Sequence, residues 1–195
     1  MKNIITLILL CSFSIKGVNA QTNKQAAWEN LISGDTLTNW ERKGGNADYR
    51  QEGESIIGKT VANTPNSFLC TKEVFDDFIL EYEVKYKDID KYFNSGVQIR
   101  SNSYPDYQDG RVHGYQVEID PSDRAWSGGI YDEGRMGWLN NLLHDENARQ
   151  AIKLDDWNHF RVEAIGNSIR TWLNGIPCAN LVDELSSSGF IGFRI

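Results

Sequence analysis

The sequence predicts an all-β fold, an antiparallel sandwich. Ten short runs have β-type composition, Gly, Pro, Asn and Asp punctuate the intervals between them, and no long stretch carries a helical period. The runs are 49–52, 55–59, 67–71, 78–86, 95–100, 114–119, 129–131, 158–165, 168–173 and 189–195. Ahead of them, "WENLISGDTLTNW" places Trp28 and Trp40 either side of a Gly34-Asp35 turn.

Alternation assigns faces within the runs. In "FILEYEVKY" the residues Phe78, Leu80, Tyr82, Val84 and Tyr86 share one face, and Ile79, Glu81, Glu83 and Lys85 the other. In "NSGVQIR", Gln98 and Arg100 lie opposite Val97 and Ile99. In "GYQVEID", Tyr115, Val117 and Ile119 face a core, while Gln116, Glu118 and Asp120 line a polar face that is either solvated surface or the floor of a site. Gly166-Asn167 separates two runs at hairpin spacing, and Asn174-Gly175 supplies a second turn. Residues 145–153 have the one helix-compatible composition and read as a loop or a single helical turn. The last run is entered from a Ser/Gly loop and the chain stops inside it, so the expectation is a sandwich short of its closing strand, with a sheet edge left unpaired.

Residues 1–20 read as a cleaved secretory signal: Lys2, an apolar run from Ile4 to Leu10, and a small-residue end at Ala20. Cys11 raises lipidation as an alternative, but bulky Leu10 precedes it. A short polar tail, 21–27, then leads into one domain over 28–195, and no later segment is long and apolar enough to span a membrane. Secretion or a periplasmic location follows from the leader. Without Lys2 and Lys16 the chain carries 18 basic and 27 acidic residues, 18 − 27 = −9, which disfavours nucleic acid or an anionic membrane as partner. Cys70 and Cys178 then remain, either as a disulfide or as two separate buried thiols, and neither has a Cys or His neighbour at zinc-ligand spacing.

Five blocks in order carry a resemblance. They are the W-x-x-L-x-x-G-x-x-L-x-x-W series (Trp28, Leu31, Gly34, Leu37, Trp40), "NSGVQIR", "GYQVEIDPSDRAWSGGIYDEGR", "WNHFRVEAIGNSIRTWLNGIP" and "SGFIGF". Together they resemble the 3-keto-disaccharide hydrolase family, formerly a domain of unknown function. The resemblance implies a concanavalin-like jelly roll whose concave sheet forms a glycan groove, and action on glycosides oxidised to a ketone at C3. Family members continue past "SGFI" with a Gln-Val-His segment and a final strand that this chain lacks.

A ketone at C3 acidifies the C2 proton. Removing it makes an enolate that expels the C1 substituent, which requires a positioned base, a cationic or metal partner for the enolate oxygen, and help for the leaving oxygen. Glu118 is the base candidate, and Arg100 and Arg135 are the candidate anion stabilisers. His144, or His113, is the acid or metal ligand. Arg100 reads equally as a structural ion-pair partner. Gln98, Gln116, Asp120 and His113 are candidate substrate contacts, with Trp126, Tyr131 and Trp138 as stacking surfaces for sugar rings. A divalent metal is a possible cofactor, since Glu118 and Asp120 are neighbours on one strand; oligomeric state is not legible. A glycan-binding module on the same fold is the alternative. A laminarinase-like hydrolase is disfavoured because the second Glu of an E-x-D-x-x-E signature is replaced by Asp123.

Overall fold

The computed structural model describes residues 6–9, 14–17, 28–34, 36–87 and 93–195. Its strands are β1 (Thr6–Leu9), β2 (Ser14–Gly17), β3 (Trp28–Glu29), β4 (Trp40–Gly44), β5 (Asp48–Glu52), β6 (Ser55–Lys59), β7 (Ser67–Thr71), β8 (Phe78–Lys87), β9 (Ser95–Asn102), β10 (His113–Ile119), β11 (Ile130–Glu133), β12 (Gly137–Asn140), β13 (Asn158–Ile165), β14 (Ser168–Leu173), β15 (Ile176–Val182) and β16 (Phe190–Arg194). They form two antiparallel sheets. One runs β15-β14-β13-β8-β1-β6-β5, with β2 paired to β8 and β3; the other runs β12-β11-β10-β9-β16-β7-β4.

All ten predicted runs are strands, which confirms the all-β jelly-roll sandwich. Among the strands after residue 30, β4, β12 and β15 were not predicted, and each is the outermost strand of its sheet. An edge strand buries little of either face, so its sequence shows no sharp alternation, and Pro177 in β15 is tolerated for the same reason. The helix-compatible stretch is one turn of helix, Glu146–Arg149, whose N-cap Asp145 accepts from the Ala148 N–H at 3.0 Å. Two-residue turns join β13 to β14 and β14 to β15, with Gly166, Asn174 and Gly175 at positive φ as such hairpin turns require.

The stretch read as a leader contributes β1, antiparallel between β6 and β8, and β2 against β8. Cys11, the cleavage position after Ala20 and the tail 21–27 lie outside the described residues. At the other end β16 is interior, paired with both β7 and β9.

The core lies between the sheets. Phe78, Leu80, Tyr82 and Val84 from β8 meet Val97, Ile99, Tyr115, Val117 and Ile119 from β9 and β10, none more than 1% exposed. Tyr82 stacks on Phe160 with ring centroids 5.0 Å apart. Cys70 and Cys178 are separate thiols, the second of the two readings. No helix among the described residues is long and apolar enough to cross a membrane.

Candidate functional site

The site lies on the outer face of the seven-stranded sheet, and strand register builds it. One row of paired residues crosses five strands: Glu118, Gly96, Arg194, Phe68 and Lys43. The adjacent row is Tyr131, Gln116, Gln98, Gly192 and Cys70. Over these rows opens a cavity of about 620 Å³, lined among others by Glu118, Arg124, Arg194, Asn94, Tyr131 and Trp138. A volume of this size suits a small ligand or a short sugar.

Glu118 is the centre of the polar floor. Although it lies on the non-core face, it is 2% exposed, and Gln116 and Asp120 are each 1% exposed. A directional chain of amides ends on it: Ser101 donates to Gln98 (2.8 Å), Gln98 to Gln116 (2.7 Å), and Gln116 to Glu118 Oε2 (2.7 Å). Asn94 donates to Oε1, and Arg124 Nη2 stands 3.4 Å from the same oxygen. Burial pushes the Glu118 carboxyl above its ordinary range, against the opposing pull of Arg194, the Gln116 hydrogen bond and Arg124. Gly96 is required here: a Cβ at that position would lie 2.5 Å from Gln116 Cγ, so the bare backbone lets Gln116 fold across it.

Two guanidinium groups flank the carboxylate. Arg194 Nη1 donates to Asn94 Oδ1, so Asn94 joins Arg194 to Glu118. Asn66, with its amide oxygen turned towards Arg194, accepts from Nε (3.0 Å) and Nη2 (3.2 Å). Arg124 donates to Asp120 Oδ2 (2.6 Å) and lies against the rings of Trp126 and Trp138, 4.9 and 5.1 Å from their centroids. Trp138 in turn meets Trp126 and Tyr131 edge to face at 4.8 and 5.3 Å. Asp120 organises the loop that carries Arg124: it also accepts from the Ser122 hydroxyl (2.5 Å) and backbone (3.2 Å) and from the Trp126 N–H (3.4 Å). Its oxygens are therefore committed to the loop, which makes it a positioning residue.

The structure thus brings Glu118, Gln116, Asp120, Tyr131 and Trp138 to the cavity, with Gln98 beneath Gln116 and Trp126 behind Trp138. It places four other candidates elsewhere. The extra residue of a β-bulge between β9 and β10 reverses the expected face of Arg100, which has φ +47°. Arg100 is 1% exposed, pairs with Asp77 at 2.9 Å and donates to the carbonyls of Asp76 and Gly166, both at 2.7 Å. Arg135 pairs with Asp132, which faces opposite to Tyr131 and Glu133, and lies over the core-facing Tyr115 ring. His144 lines a shallow depression with Leu143, Glu146 and Arg149. His113 packs between Tyr104 and Tyr107, with Nδ1 2.9 Å from the Arg111 carbonyl.

Sequence reading missed Arg194, Asn94 and Ser101 as site residues. Arg194 was legible by alternation with Ile191 and Phe193, but nothing local says that β16 lies beside β9. Among the described residues no group of three or more His, Cys, Asp or Glu is arranged to hold a metal ion, and the three carboxylates lining the cavity, Glu118, Asp120 and Glu133, are each engaged by protein donors.

Comparison with known proteins is consistent with this architecture. The carbohydrate binding module CBM66 from Bacillus subtilis shares the fold with a TM-score of 0.61 at 18% identity, over 81% of this chain and 88% of that one. A Bacillus subtilis protein of galectin-like fold matches at 0.61 and 15%, over 84% and 86%. A putative glycosyl hydrolase from Parabacteroides distasonis ATCC 8503 matches at 0.57 and 16%, over 85% and 86%. No curated protein matches the chain in sequence. Residues 27–195 match the family described as 3-keto-alpha-glucoside-1,2-lyase-like domain, and the chain belongs to that family.

Proposed function

We propose that this protein is a secreted or periplasmic enzyme that cleaves 3-keto-glycosides by base-initiated elimination at the Glu118 cavity. Family membership supports a carbohydrate-related function. The observation that carries the catalytic reading is a buried carboxylate with a raised proton affinity, held by an amide chain and flanked by two arginines at the floor of a sugar-sized cavity. A pKa raised towards neutrality suits a group that must first accept a proton and then return it.

In the proposed sequence ionised Glu118 takes the C2 proton, and the C–H electron pair forms the enolate. Arg124 and Arg194 are placed to hold negative charge in a site of low dielectric. The enolate then re-forms the ketone as the C1–O bond breaks, and protonated Glu118 returns its proton to the departing oxygen. The products are an unsaturated keto sugar and the free alcohol; net hydrolysis would need a later addition of water. Tyr131 and Trp138 supply ring contact for the sugar.

A carbohydrate-binding module is the second reading, favoured by the aromatic pair at the cavity and by the shared fold with CBM66. Incubating the full chain with a 3-keto-glucoside that bears a chromogenic leaving group, beside its unoxidised parent, separates the two. Release from the keto form alone supports the enzyme. Binding without release supports the module, and release abolished by a chelator would add a metal.

A further inference from the structure

The amide chain beneath the cavity has a direction, and its head, the Ser101 hydroxyl, lies three hydrogen bonds from Glu118. Ser101, Gln98 and Gln116 are each no more than 1% exposed, so bulk water cannot stand in for any of them. Ser101 Oγ reaches Gln98 Oε1 at 2.8 Å, while the carbonyls of Ile99 and Tyr115 are farther from it, at 3.2 and 3.3 Å. In a regular strand Gln98 and Ser101 would face opposite ways. The bulge and the left-handed Arg100 bring them to one side. Gly114 and Gly189 make room for Ser101: a Cβ on the first would lie 2.5 Å from its Oγ, and one on the second 2.3 Å from its carbonyl oxygen.

Direction matters because a glutamine amide has two unlike ends. Its N–H groups stabilise a neighbouring carboxylate, and its oxygen repels one. Turning Gln116 alone would set its nitrogen against that of Gln98 and its oxygen against Glu118, so two hydrogen bonds would be lost at once. Turning both amides moves the mismatch to Ser101, whose hydroxyl would have to swing from Gln98 to one of the more distant carbonyls. The hydroxyl at the head of the chain therefore sets which end of Gln116 meets the carboxylate.

We propose that Ser101 and Gln98 are positioning residues for Glu118: they hold Gln116 with its amide N–H towards the carboxylate and so favour the ionised form. This deepens the Proposed function and rests on it for the part that Glu118 plays as base. The charged groups that face the carboxylate are Arg194 from β16 and Arg124 and Asp120 from the loop after β10, with Glu133 and Arg111 on the cavity wall. Removing the Ser101 hydroxyl alters no charge among them.

NMR titration of the Glu118 side-chain carboxyl in the unliganded full chain tests the positioning without turnover. Ser101→Ala and Gln98→Met should each raise its midpoint by about 0.5–1 pH unit, because a hydrogen bond to the charged form is weakened. If Gln98 acts only through Gln116, the double variant Gln98→Met, Gln116→Met should titrate where Gln116→Met does alone. A thermal melt verifies folding, and Ser101→Ala, which removes a single oxygen, decides the matter if a methionine variant does not fold. A midpoint unchanged or lowered in Ser101→Ala, or shifts that add in the double variant, would overturn the proposal. The pH–rate limb for a 3-keto-glucoside should move with the midpoint. Raised midpoints without any turnover would uphold the positioning and overturn the proposed reaction alone.

Discussion

Glu118 and Arg194 stand on strands with one strand between them, and Asn94 joins the two across Gly96. Backbones two strands apart are separated by about 10 Å, too far for a direct ion pair without a bridge or long side chains. The bridge lets Arg194 act on the carboxylate while leaving its charge directed into the cavity. Three features make this possible: the side-chain-free Gly96, the loop residue Asn94 just before β9, and the pairing of the terminal strand with β9.

If Glu118 is the base, Glu118→Gln keeps the shape and the acceptor oxygen but cannot take a proton. Turnover of a 3-keto-glucoside should fall by about 10²–10⁴-fold, while calorimetric affinity for the unoxidised sugar changes little. An active variant would place the base elsewhere.

The raised pKa of Glu118 sets the sign of two pH effects. The rate should climb as pH passes through the folded-state pKa, because only the ionised form accepts a proton. Arg194→Gln removes the largest opposing charge and should move that limb to higher pH. Stability should run the other way: the folded state binds the proton more tightly than the unfolded chain, so the contribution of Glu118 is full below about pH 4 and is lost as pH rises through the folded value. Comparing urea unfolding of wild type and Glu118→Gln across pH would show the decline in the former and its absence in the latter.

Gly96→Ala would put a methyl group 2.5 Å from Gln116 Cγ and displace the amide that donates to Glu118. A stability loss of about 1–3 kcal/mol is expected from such overpacking, together with a fall in kcat. Stopped-flow kinetics on the folded fraction would separate the two.

Arg100→Met should destabilise without touching the chemistry, since Arg100 ties β9 to the Asp76–Asp77 and Gly166 turns of the opposite sheet. Loss of charge-assisted bonds at a buried position predicts about 2–4 kcal/mol, read as a lower Tm with kcat/KM per folded molecule unchanged. A large loss of kcat at unchanged Tm would return Arg100 to the site.

Both thiols should be slow to react with a disulfide reagent in the native protein. Burial pushes Cys70 far above the usual thiol range and Cys178 up to about 12. Fast labelling at neutral pH, without denaturant, would contradict the packing around them.

Alternation alone identified the strands that bury a face, because a residue pattern of period two records burial directly. The same reading identified the hairpin turns at Gly166 and Asn174-Gly175, left 145–153 as a loop or a single helical turn, and chose Glu118, Gln116, Tyr131 and Trp138 as candidate contacts. Tertiary structure decided the rest. Edge strands β4, β12 and β15 leave weak patterns because little of them is buried. A single extra residue at the bulge sends Arg100 to the opposite sheet, and alternation cannot register such an insertion. Arg194 and Glu118 are 76 residues apart (194 − 118) and meet only because β16 pairs with β9. Side-chain alternation is a local property of one strand, whereas the neighbours of a strand are set by the order of the sheet, and that order assembled the cavity.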